Sequence, residues 1–76
     1  MKIQTIYRAI LPIPEGLYNQ GKIIFIIQAV RRENPLVKIK THVGCYHIES
    51  EQEALIAPVY DRVEALLNQC LKNDSK

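Results

Sequence analysis

Lys22-Ile23-Ile24-Phe25-Ile26-Ile27-Gln28-Ala29-Val30-Arg31 can be read with two different backbones, and the choice between them sets the architecture. Four isoleucines around a phenylalanine are stiff at χ1, which favours a pleated strand over a helix. As a strand the segment is central in the sheet, with Glu33-Asn34-Pro35 turning into the next strand. The helical alternative has signals of its own. Arg31 and Arg32 would sit at the negative end of the helix dipole, and an Asn before Pro35 is a common helix ending. The strand is the primary expectation, and a helix here would give a β-α-β-α order instead.

The flanking segments support a sheet. In Lys2 to Leu11, Ile3, Ile6, Tyr7 and Ile10 fit helical spacing, but β-branched and aromatic enrichment ahead of Pro12 and Pro14 favours a strand. Pro12 to Gly21 reads as a loop turning at Glu15-Gly16 and anchored by Leu17 and Tyr18. From Leu36 onward, Val37, Ile39, Thr41 and Val43 alternate with Lys38, Lys40 and His42, the pattern of a half-buried strand whose wet face is cationic. Gly44 suggests a bulge or bend, after which Cys45 to Ile48 continues the strand or turns out of it.

Ser50-Glu51-Gln52-Glu53 has the form of a capping box, with Glu49, Glu51 and Glu53 well placed at a positive helix end. Leu55, Val59, Val63, Leu66, Leu67 and Cys70 then form an apolar stripe at helical spacing. Pro58 implies a kink or a fresh helix start. The expected fold is therefore α+β: a small antiparallel sheet of about three strands (residues 2–11, 22–31 and 36–48) with a long, kinked C-terminal helix over residues 51–71 packed on one face.

With 76 residues and no internal repeat or linker, residues 1–76 form one domain, and a core of this size supplies only a few kcal/mol of net stability. Homo-oligomerisation is the simplest way to bury more apolar surface. Through Ile48 seven cations face two anions, whereas from Glu49 onward three cations face six anions, so the overall +2 conceals a dipolar chain. Nothing near Met1 resembles a secretion signal, and the densest apolar run, Ile23 to Ile27, falls far short of the ~18 residues of a membrane span. A cytoplasmic protein without membrane contact is expected, with Cys45 and Cys70 reduced.

Signals for chemistry are thin. His42, Cys45, His47 and Cys70 could be taken for a metal set, but in an unbroken strand His42 points away from Cys45 and His47, and only a bend at Gly44 would unite them. A Cys-His nucleophilic pair would need an orienting third group and an oxyanion site, and the sequence suggests neither. Gly16, Gly21 and Gly44 are too scattered for a nucleotide-cradling loop. The chain is accordingly read as a non-enzyme without cofactor or metal.

Two surfaces remain. Arg31, Arg32, Lys38 and Lys40 could form a phosphate-spanning patch for nucleic acid, with Tyr7, Tyr18 or Tyr46 as stacking platforms, although lysines on a wet sheet face also guard against edge pairing. Ile6, Ile10, Ile24, Ile26 and Tyr60 exceed what one helix can cover, and a second copy of the chain is the simplest cover. The leading expectation is a small regulatory or protein-interaction module acting as a homodimer. A nucleic-acid-binding module and a metal- or thiol-dependent protein are the alternatives.

Overall fold

The computed structural model describes residues 4–17 and 21–74. Strand β1 (Tyr7–Pro12) leads through a 3-10 turn at Glu15–Leu17 to helix α1 (Lys22–Glu33). Strands β2 (Lys38–His42) and β3 (Cys45–Ser50) follow, and then a second 3-10 turn, Glu53–Leu55, runs into helix α2 (Ile56–Asp74). The sheet is antiparallel with order β1-β3-β2, so β3 is central and β1 and β2 are the two edges. The class is α+β, with three strands and a long C-terminal helix packed on the sheet, as the sequence indicates.

One of the three expected strands is a helix, and another is split into two strands. Lys22–Glu33 is a helix. Ile23, Ile27 and Val30 fall on one face and are buried. At that spacing three large side chains enter the core, and burial worth roughly 1.5–3 kcal/mol for each outweighs the few tenths of a kcal/mol per residue that β-branching costs a helix. The predicted ending is also present. Asn34 donates its backbone N–H to the carbonyls of Val30 and Arg31, and its side-chain Nδ2 donates to Val30 as well. Pro35 then prevents continuation.

The strand expected over residues 36–48 is instead a hairpin. Val43 and Gly44 form its two-residue turn, and Gly44 has φ 77, a left-handed value that only glycine adopts without strain. Cys45 to Ser50 then returns as the central strand. The first strand is shorter than expected. Gln4 to Ile6 lie outside it, Pro12 is its last residue, and Lys2 and Ile3 fall outside the described residues, as does Tyr18. Leu17 anchors the following loop and is fully buried.

Ser50 does not cap a helix. Its hydroxyl accepts from the Gln52 N–H at 3.0 Å and donates to the Leu36 carbonyl at 3.1 Å, which closes the end of β3 over the connection from α1. With α2 beginning at Ile56, Pro58 lies in the first turn, where a backbone N–H has no intrahelical partner to lose.

Both helices cover the same face. Leu11, Ile39, Tyr46 and Ile48 from the sheet pack with Ile23, Ile27 and Val30 of α1 and with Ile56, Val59, Val63 and Leu67 of α2. Helix α2 lies over β1 and β3, while α1 lies beside β2 and against α2. No described helix is long and apolar enough to cross a membrane. Neither of the described helices lies over the opposite face of the sheet.

Candidate protein-interaction surface

Alternation along the strands decides what the open face presents. Arg8 and Ile10 from β1, Cys45, His47 and Glu49 from β3, and Lys38, Lys40 and His42 from β2 all point away from the helices. Their rows follow the pairing: Arg8, Glu49 and Lys38 side by side, then Ile10, His47 and Lys40, then Pro12, Cys45 and His42.

Glu49 is the electrostatic centre of this face. Its side chain is only 5% exposed, although neither described helix covers it, because Arg8 and Lys40 close over it from the two edge strands. Arg8 Nε donates to Oε2 at 2.6 Å, and Lys40 Nζ lies 3.2 Å from Oε1. The hydrogen bond from Arg8 and then that from Lys40 hold the Glu49 carboxyl below its ordinary pKa, against a smaller opposing effect of burial. Both cations stay about half exposed, so salt screens the outer side of the triad. The triad also joins the basic and acidic parts of the chain. Glu49, read from sequence as part of a helix N-terminus, is a strand residue.

The hairpin turn gives the bend needed to bring the histidines together. His42 and His47 stack with ring centroids 3.7 Å apart, and Cys45 shares their face. Partial burial, His42 and Arg8 hold the His47 pKa below its ordinary value. Among the described residues no group of three or more His, Cys, Asp or Glu side chains could hold a metal ion. Cys45 and Cys70 are free thiols, and Cys70 packs against the core from α2, in the other layer.

These two shifts give acid sensitivity. The folded His47 pKa lies below its unfolded value of 6.5, so its contribution is complete above that pH and is lost as the pH falls toward the folded pKa. Glu49 acts in the same direction lower down, with its contribution complete above 4.5 and lost as the pH falls toward its folded pKa. Denaturant midpoints should therefore fall in two stages, the first as the pH drops below 6.5 and the second as it drops below 4.5. His47→Gln should flatten the upper stage and Glu49→Gln the lower. Unchanged pH profiles in both variants would contradict the geometry of this face.

The residues selected from sequence are divided between layers. Ile6, just before β1, and Ile10, within it, are each 57% exposed on either side of Arg8, and Ile6 lines a cleft with Lys38, Lys40 and Glu49 of the open face. Ile24 is exposed on α1 instead, at a cleft of about 590 Å³ between that helix and the hairpin tip. Ile26 is half-buried, and Tyr60 packs against the core from α2. The five therefore do not form one patch.

The four cations are divided too. Arg31 lies in the last turn of α1 and donates through Nε, at 3.1 Å, and through Nη2 to the Ile39 carbonyl on the outer edge of β2. Arg32 is exposed on the same helix. Lys38 and Lys40 stand on the open face, with Lys40 engaged by Glu49. Tyr46 is on the covered face, buried, with its phenol pKa raised by desolvation, so it offers no stacking surface.

Sequence reasoning missed Phe25, Leu36 and Val43 as exposed apolar residues. Phe25 was detectable, because a helix burying Ile23, Ile27 and Val30 turns it outward. No protein-family model, curated protein or solved structure matches the chain.

Proposed function

We propose that this protein is a non-catalytic protein-interaction module of a regulatory kind, which works in the cytoplasm as a homodimer through the open side of its sheet. The observation that carries this reading is the exposure of Ile10, and of Ile6 just before β1, at a sheet face that neither described helix covers. Two large aliphatic side chains held in water, Ile10 on β1 and Ile6 just before it, gain from a partner, and a domain this small has little stability to spare. The neighbouring triad supports a protein partner over a nucleic acid. Arg8 and Lys40 already have Glu49 as counter-ion, and Arg31 is engaged at the edge of β2, which leaves Arg32 and Lys38 of the sequence-derived cations for phosphate.

Light scattering at high micromolar concentration tests this reading. The expected mass is twice the 8.7 kDa of the chain, and a constant monomer mass would contradict it. Fluorescence anisotropy with single-stranded and duplex DNA and RNA should stay flat. Saturable binding that weakens steeply with salt would put the nucleic-acid alternative in its place.

A further inference from the structure

We infer that two copies join through the edge of β1, pairing antiparallel across a two-fold axis to form a continuous six-stranded sheet. The inference rests on the homodimer reading.

The two edges of the sheet are not equivalent. The outer side of β2 is guarded by α1, with the Arg31 guanidinium on the Ile39 carbonyl, and Lys38 and Lys40 add charge. At the other edge, the Ile13 N–H donates to the Gly44 carbonyl and extends the register of β1 with β3 by one pair. Hydrogen-bonded and non-bonded pairs alternate in an antiparallel ladder, so Tyr7, Ala9 and Leu11 bond to β3. Arg8 and Ile10 therefore direct their N–H and C=O groups outward, and nothing among the described residues bonds to them. Pro12, at the same outward parity, has no N–H to offer and ends the usable edge.

This edge is self-complementary. Centred on Ala9, antiparallel pairing places Arg8 of one copy opposite Ile10 of the other and exchanges four backbone hydrogen bonds. Ala9 is small enough to meet its own copy at the close, non-bonded position on the axis. The two Arg8 side chains do not oppose association strongly, since each already has a carboxylate at 2.6 Å. On the open face the Ile10 side chains become diagonal neighbours.

Ile10→Pro is the discriminating variant. It removes an outward N–H but no bond to β3, and proline is tolerated on an edge strand. The wild type is expected to dimerise in sedimentation equilibrium, with Ile10→Pro weakening association at least tenfold while retaining the wild-type circular dichroism. A second measurement needs no variant. Amide exchange at Arg8 and Ile10 should be slowed at least tenfold in concentrated wild-type protein and released on dilution, while Ala9 and Leu11 stay protected throughout. A wild-type dimer with fast Arg8 and Ile10 amides, or one matched by a folded Ile10→Pro dimer, would overturn the edge contact and leave the homodimer reading intact. A wild-type monomer with those amides fast at every concentration would overturn both and leave the edge to a strand from another protein.

Discussion

Ile48→Ala should leave the protein largely unfolded at room temperature. Ile48 lies in the middle of the central strand, is fully buried, and pairs with Ala9 on one side and Ile39 on the other, on the face covered by α2. No neighbour can collapse easily into the space it leaves, because its backbone is held by both flanking strands. Large-to-small changes at such sites cost about 2–5 kcal/mol. A core of this size supplies roughly 3–5 kcal/mol in total. The loss should appear as a broad or missing thermal transition in circular dichroism, and a cooperative melt within a few degrees of wild type would contradict the central position of Ile48. If association adds stability, that melt should also shift upward with protein concentration in the wild type.

Ala29→Pro should be nearly as damaging, for a reason specific to α1. Ala29 is exposed and contributes no packing, so its replacement tests the backbone alone. In the interior of a helix, proline removes a hydrogen bond and clashes with the preceding turn, costing about 3 kcal/mol or more. Ala29→Gly should cost about 1 kcal/mol at the same place. Urea denaturation of the two variants against wild type measures both. Equal, small effects would mean that residues 22–31 are extended after all.

That segment shows how far the fold could be read from sequence. Its β-branched content favours a strand locally, while the spacing of Ile23, Ile27 and Val30 and the Asn34-Pro35 ending favour a helix. Local stiffness is worth tenths of a kcal/mol per residue and burial whole kcal/mol, so the spacing is the stronger signal. Gly44 marks a break in the alternating pattern, but one glycine cannot by itself distinguish a bulge from a reversal of the chain. The reversal is what supplies the central strand. The stripe of α2 was the most legible feature, because Val59, Val63 and Leu67 repeat at helical spacing over several turns and all three are buried.

The open face was legible only in part. Alternation placed Lys38, Lys40 and His42 together on a wet face, as observed. It could not place Glu49 beneath Arg8 and Lys40, since that contact needs the strand order β1-β3-β2, a long-range property with no local signature. Nor could it separate Ile24 from Ile6 and Ile10. That separation follows once residues 22–33 are a helix in the other layer.

The central claim is that the protein works through the open side of its sheet and the adjoining edge of β1. The most direct measurement is a dilution series of two-dimensional amide spectra on the wild-type protein, from high to low micromolar concentration. Shift changes concentrated at Ile6, Arg8 and Ile10, with smaller ones at Lys40, His47 and Glu49, are the predicted result. Changes confined to Ile24, Phe25 and Val43 would move the interface to the cleft beside α1 and contradict the claim.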